Sequence, residues 1–486
     1  MKHWGKNVRG RLSSYSWYPW LVFFSVTTGT FMVNVDSSIL NVALPVLGKT
    51  FEAPPHMVQW VITGYLLVIT SILPVIGRLS DLKGRKYFFV SGVGLFTIGS
   101  VLTAFSPTLL WMVLFRIVQG VGGGMIMGNV MSIVADTFPR GKRGRPLGII
   151  GSIVAAGTIA GPALGGMLIA AWGWRSIFWI NVPIGLISVA ASSILLAPPI
   201  RKGEAAEEGD AAQFDFIGGV VFFAAVTSLL LLISNGYQWG WMSGPGLLML
   251  GIAAGGWGGF IWREWSTDNP LIDLSLFGNL RFTIGNITGF LSFILMMLPS
   301  ILLPLFLDHV RHISISNIGL IMSVQAIAII ISSPLSGWVA DRYGNAWPSI
   351  AGLSAAAAAL GLMSRFGGGT SVMEVVLTLG LFGTGMGFFQ SPNNVAVLES
   401  VPSSKTGLTG SLMATIRNFG RVTGVSLTVL LFQVGSAGQS SAAGYREGIT
   451  FVFLIGLAIA VAAILLVTVG VGSAAGGRYQ REVPDA

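Results

Sequence analysis

The stretch GRLSDLKGRK (77–86) returns in outline as GWVADRYGNA (337–346). Both contain Gly-x-x-x-Asp-x-x-Gly, at 77–84 and 337–344, with an offset of 260 at every matched position. Each copy follows an apolar run long enough to cross a bilayer, which takes about 20 residues. A polar motif repeated after two such runs marks an internal duplication, and duplicated membrane bundles are the sequence sign of transporter folds. The offset exceeds one six-span half by roughly a linker and two further spans. Within the motif, the glycines permit a tight turn and close helix approach, while Asp81 and Asp341 can face a helix N-terminus or an arginine. The second copy has Asn345-Ala346 where the first has Arg85-Lys86, so a weaker latch is expected there.

The composition agrees with a membrane setting. The chain has 486 residues, 53% hydrophobic and only 10% charged, with mean hydropathy +0.76. Soluble domains are about 25% charged. Cutting at charge and Pro/Gly punctuation gives fourteen spans, from 18–47 to 448–471. The start, MKHWGKNVRGRL, has the charged head of a signal peptide, but the apolar run after it lacks an A-x-A-like site and reads as a retained first span. With no cysteine, disulfide scaffolds, thiolate metal sites and thiol nucleophiles are excluded.

The net charge of +9 suggests nucleic-acid binding until the charges are placed on loops. Loops alternating from the N-terminus hold twenty Lys and Arg, the opposite set holds five, and Arg116, Arg417 and Arg421 lie inside spans. The positive-inside rule then puts the rich loops and both termini in the cytoplasm, and no nucleic-acid partner is expected. Tyr18 and Trp residues at 17, 20, 111, 172, 174, 239 and 241 fall at span ends, where aromatic belts are expected.

In FMVNVDSSILNVALP (31–45), Asp36 is the sole charge between Arg11 and Lys49. A carboxylate at that depth costs roughly 2.5–3.5 kcal/mol on insertion scales, and ionisable residues inside spans mark ion pathways. Asp36 is therefore the candidate proton and substrate site, and Arg116, within span 4, is the candidate partner that tunes it. Gly157, Gly161 and Gly165 form two small-xxx-small steps with Pro162 and Gly166 beside them, a pattern for close helix packing. GVGGG (120–124) and GTGMG (383–387) read as packing glycines because no strand–helix context surrounds them. His309 and His312 have no third ligand nearby, so no metal site is expected.

These motifs carry a resemblance. VDSSILNVALP (35–45), GRLSDLKGRK (77–86), RIVQG (116–120), GTIAGPALGG (157–166) and WRSIFWINVPIG (174–185), in that order, resemble the fourteen-span drug:proton antiporter branch of the major facilitator superfamily. The resemblance implies an all-α integral membrane protein of two six-helix bundles plus two inserted helices. It divides the chain into a cytoplasmic segment 1–17, a bundle 18–198, a linker 199–215, inserted helices 216–281, a bundle 282–471 and a cytoplasmic tail 472–486. It implies alternating access in a bacterial inner membrane, with proton entry driving export.

On the same grounds Gly77, Asp81, Gly84, Arg85 and Asp136 form the cytoplasmic gate motif, and Gly337, Asp341, Arg342 and Gly344 its second copy. Gly157, Gly161, Pro162, Gly165 and Gly166 form the antiporter motif, while Phe31, Asn34, Gln119, Gln325 and Gln390 are candidate cavity residues. Span 10 has Gln325 and no acid where some relatives carry one, and Arg421 replaces a small or neutral residue. The expected cargo is amphipathic, as lipophilic monocations or neutral drugs. Membrane lipids and a periplasmic adaptor are the further candidate partners. No cofactor is expected, and no nucleophile–base set or G-x-x-x-x-G-K-[ST] suggests an enzyme or ATP coupling. A lipid, siderophore or metabolite exporter and a non-transporting receptor or scaffold are the alternatives.

Overall fold

A computed structural model describes residues 15–139, 141–197, 214–267, 270–313, 315–402, 405–436 and 442–479. The expected linker, up to residue 213, and the ends of the chain lie outside the described residues. Among the described residues fourteen long helices follow in order: α1 Tyr18–Thr50, α2 Trp60–Lys83, α3 Arg85–Ala104, α4 Leu109–Thr137, α5 Gly144–Trp172, α6 Ser176–Leu195 and α7 Phe216–Trp239. The rest are α8 Gly244–Ser266, α9 Leu280–His309, α10 Ile315–Tyr343, α11 Ala346–Met363, α12 Val372–Glu399, α13 Thr406–Gly435 and α14 Ala442–Tyr479. Among the described residues twelve are long and apolar enough to cross a membrane, and α1, bent by 45° past Leu40, makes a thirteenth. The expected fourteenth, α13, has the length at 30 residues, but Arg417, Arg421 and its Thr, Asn and Gln content leave it less apolar. At the other end of the chain, α14 runs on to Tyr479, past the expected end at 471.

The helices start where the side chains satisfy free backbone N–H groups. Thr108, Asp215, Ser243 and Asn279 each accept from the first turn of the helix they open. Ser371 and Glu374 do so reciprocally as a capping box. The motif glycines explain the turns: Gly84 ends α2 at φ +103° and Gly344 ends α10 at φ +86°, conformations that side-chain-bearing residues rarely adopt. Trp174 departs from the aromatic-belt expectation. It is buried in a core cluster with Leu47, Ile177 and Phe178, its ring 5.6 Å from that of Phe51.

The chain forms two compact units. Unit 1 takes the described residues of 1–139, 156–274 and 402–415, and unit 2 those of 140–155, 275–401 and 416–486. Inside unit 1, α3 and α4 meet through glycine: a Cβ at Gly122 would strike the backbone of Phe96, and one at Gly99 would stand 2.8 Å from Gln119 Cα. Unit 2 repeats this between α11 and α12, where Gly352 and Gly385 would each place a Cβ about 2.5 Å from the other's carbonyl oxygen. Gly92 of α3, whose Cβ would stand 2.6 Å from Met125 Cβ of α4, precedes Gly352 by the same 260-residue offset as the polar motif. The inserted pair α7 and α8 belongs to unit 1, where Thr227 hydrogen-bonds Ser71 of α2 at 2.9 Å.

Candidate functional site

Asp36 lies in the interior of unit 1, its side chain wholly buried. Both carboxylate oxygens are occupied. Oδ2 accepts from Arg116 Nη1 at 2.5 Å, and Oδ1 accepts from Gln119 Nε2 at 2.9 Å and from Asn181 Nδ2 at 2.7 Å. Arg116 and Gln119 share a face of α4 because they are three residues apart, and Arg116 Nη1 also donates to Gln119 Oε1 at 2.7 Å. The guanidinium donates Nε to the Val61 carbonyl at 3.2 Å and lies 3.8 Å above the Tyr65 ring. Asn181 is held in turn by Ser100 Oγ at 2.9 Å. Arg116 Nη2 is buried with no hydrogen-bond partner among the described residues. A buried pair is held at a desolvation cost that its contacts must offset, so such a network marks function or specificity better than stability.

Sequence reasoning named Asp36 and Arg116 for this centre and Gln119 only as a cavity residue. It missed Asn181, Tyr65 and Ser100. Asn181 sits inside WRSIFWINVPIG, and the signal was an amide in an otherwise apolar run, which must find a partner when buried. Ser100 gave no signal, since a single serine inside a span commonly bonds its own helix, and Tyr65 gave none, since an aromatic ring in an apolar run reads as packing.

At the ends of the helices the two motif copies do related work. Asp81 Oδ2 accepts the Leu408 N–H at 2.8 Å in the first turn of α13, and Oδ1 accepts from Arg85 at 2.7 Å. Arg85 also pairs with Asp136 and donates to Thr406 Oγ1 at 2.9 Å. In unit 2, Asp341 accepts the N–H groups of Gly144 at 2.7 Å and Arg145 at 3.1 Å, the first turn of α5. Each carboxylate therefore caps a helix and complements its dipole. Gly77 and Gly337 allow these approaches: a Cβ would strike Ser411 from the first and Gly144 from the second. Arg342 takes no part in the cap and lies over the rings of Trp338 and Tyr343, at 5.9 and 5.6 Å. Asp341→Ala is expected to cost about 1 kcal/mol, the worth of a cap. Asp81→Ala should cost roughly twice that, because it also strips a carboxylate from a partly buried Arg85. Thermal unfolding of the purified variants measures the difference, and equal losses would contradict the asymmetry.

Three of the four glycines of this α5 motif, Gly157, Gly161 and Gly165, face α1. Cβ atoms at Gly157 and Gly165 would stand 2.9 Å from Asn34 Cβ and 2.7 Å from Ile39 Cγ1. One at Gly161 would strike Ser38 Oγ and stand 2.9 Å from Ile39 N, whereas one at Gly166 would meet nothing within 4 Å. Ser38 Oγ donates across this seam to the Gly157 carbonyl at 3.0 Å. Pro162 lies within α5 beside it. Of the cavity candidates in unit 1, Phe31 is half-buried and Asn34 is buried with its amide bonded to the Thr30 carbonyl at 2.8 Å. In unit 2, Gln325 is buried, and Gln390 is half-buried with Nε2 2.9 Å from Met296 Sδ.

Comparison with known proteins gives this geometry a family setting. The description "Major Facilitator Superfamily" matches residues 26–284 and 285–480. The chain is 35% identical over 404 residues to the riboflavin transporter RibZ of Clostridioides difficile (strain 630), covering 82% of this chain and 85% of that one. It is 32% identical over 408 residues to the multidrug resistance protein Stp of Mycobacterium tuberculosis, covering 84% and 74%. Among solved structures, the human organic anion transporter MFSD10 (TETRAN) shares the fold with a TM-score of 0.66 at 14% identity, over 92% of this chain and 99% of that one.

Proposed function

The chain belongs to the Major Facilitator Superfamily and is a multi-pass membrane transporter, not an enzyme; from that premise we propose that it is a proton-coupled antiporter exporting amphipathic organic compounds by alternating access. The observation that carries this reading is Asp36, whose carboxylate is wholly buried inside a span with three donors on its two oxygens. Gln119 and Asn181 fill both lone pairs of Oδ1, so an arriving proton goes to the open lone pair of Oδ2, beside Arg116, and removes the charge that holds the guanidinium. In a water-excluded centre that loss of charge weakens the pair strongly, because no solvent makes up for it. Protonation from outside then loosens α1 from α4 and releases the cargo, and loss of the proton to the cytoplasm restores the pair and resets the site.

The proposal sets both termini in the cytoplasm of a bacterial inner membrane, on the asymmetry of Lys and Arg among the loops. Similarity to multidrug resistance protein Stp supports an efflux role. Similarity to RibZ supports a second reading, in which the cargo is a flat, polar metabolite such as a vitamin. Inverted membrane vesicles with an acid interior, offered a panel of dyes, drugs and riboflavin, separate the two. Export appears as accumulation inside the vesicle that collapses when the pH gradient is discharged. Accumulation indifferent to the gradient for every compound sinks the proton-coupled reading.

A further inference from the structure

Among the described residues three arginines, Arg116, Arg417 and Arg421, stand seven or more residues from both ends of their helices. Arg116 meets a carboxylate, Asp36. Arg417 and Arg421 lie four residues apart on α13, on one helix face, where like charges repel. Arg421 is at the middle of the 30-residue helix, about 22 Å along it at 1.5 Å per residue. That is farther than an arginine stem can snorkel back to the headgroups. Among the described residues no carboxylate lies within 4 Å of the Arg421 guanidinium. The acids on helices of unit 2, Asp308, Asp341, Glu374, Glu399 and Glu447, all stand within two turns of a helix end. A half-buried guanidinium at that depth is costly, and the described residues of unit 2 supply it with no interior counter-charge.

The site is built, not accidental. A Cβ at Gly420 would stand 2.8 Å from Phe293 Cβ, and one at Gly424 would stand 2.9 Å from Ile294 Cα, so α13 is pressed onto α9 at this level. The contact holds Arg421 with its guanidinium carbon 5.4 Å from the centre of the Phe293 ring. Met296, one turn along α9, carries the Gln390 amide at 2.9 Å. Cation, aromatic face, thioether and amide donor thus adjoin within unit 2, a set that suits a planar ring bearing an acidic group.

We propose that Arg421, with Arg417 one turn before it, binds the acidic group of an aromatic organic anion, whose ring lies toward Phe293 and Met296. This rests on the exporter reading and replaces the expected cationic or neutral cargo with carboxylates, sulfonates or phosphate esters of aromatic compounds.

Two dyes with the same xanthene ring system test it, fluorescein as the anion and rhodamine 123 as the cation. Their binding to the purified full chain in zwitterionic nanodiscs is followed by fluorescence anisotropy. Wild type should bind fluorescein at least about tenfold more tightly than rhodamine 123. Arg421→Gln should lose that preference by about tenfold while rhodamine binding and melting temperature hold, and Arg421→Lys should retain part of it. Fluorescein binding unchanged in Arg421→Gln, equal loss of both dyes, or no binding of fluorescein to wild type would each overturn the proposal. So would loss of fluorescein binding in anionic-lipid nanodiscs, since a lipid phosphate would then be the occupant. Binding needs no transport, so the two readings fail separately. The predicted dye pattern with no export of either dye removes the exporter reading alone; gradient-driven rhodamine export without fluorescein binding removes this one alone.

Discussion

Asp36→Asn is expected to abolish pH-gradient-driven export and to lower stability by about 3–5 kcal/mol, the cost of leaving a buried charge without its partner. The substitution keeps shape and removes charge. Its amide must point a donor at one of the three groups that donate to Asp36, Arg116, Gln119 or Asn181. A folding loss could mimic a loss of coupling, so Asp36→Asn/Arg116→Gln is the second variant. With both charges gone, the double variant should recover much of the melting temperature, as coupled neighbours do in a double-mutant cycle. Export should stay absent, because no group is left to exchange a proton. Recovery of gradient-driven export along with stability would show that the pair is structural only.

Gly161→Val is the second large effect. Its Cβ would strike Ser38 Oγ and press on the backbone nitrogen of Ile39, which cannot rotate away. The valine must push α5 off α1 or bend α5 near Pro162, and the Ser38 to Gly157 hydrogen bond is lost with the seam. Overpacking of this kind costs typically about 1–3 kcal/mol, and more where backbone is struck. Export should fall below about a tenth of wild type, since a tenfold change corresponds to only about 1.4 kcal/mol. The control is Gly166→Ala in the same motif, whose Cβ meets nothing within 4 Å and should leave both export and melting temperature unchanged. Similar effects of the two substitutions would sink the seam.

Those two glycines show where sequence reading stops. GTIAGPALGG announces close packing through its small-residue steps, but it cannot say which glycine faces a neighbour, because that depends on how α5 is rotated against α1. Asp36 and Arg116 were legible for a different reason: a charge inside an apolar run is costly enough to need a partner. Gln119 and Asn181 were harder, since an amide can satisfy itself on its own helix, and only packing brings these two to one carboxylate. The duplicated motif was legible in both copies, and its carboxylates each cap a helix. Its second copy proved to cap two backbone N–H groups without the arginine, which follows from Asn345 standing where Arg85 does. The span count was legible from length and hydropathy except at α13, where the features that mark a candidate anion site are those that dilute its apolarity.

The central claim, that one buried carboxylate ties proton entry to cargo export, is tested most directly by proton flux in proteoliposomes. A pH-sensitive dye is sealed inside, no pH gradient is imposed, and a substrate gradient is applied across the wild-type protein and Asp36→Asn. Wild type should move protons against the substrate, with a pH change that depends on substrate and vanishes without it, while Asp36→Asn shows none. Substrate movement through wild type with no proton movement, or equal proton flux through both proteins, would contradict it.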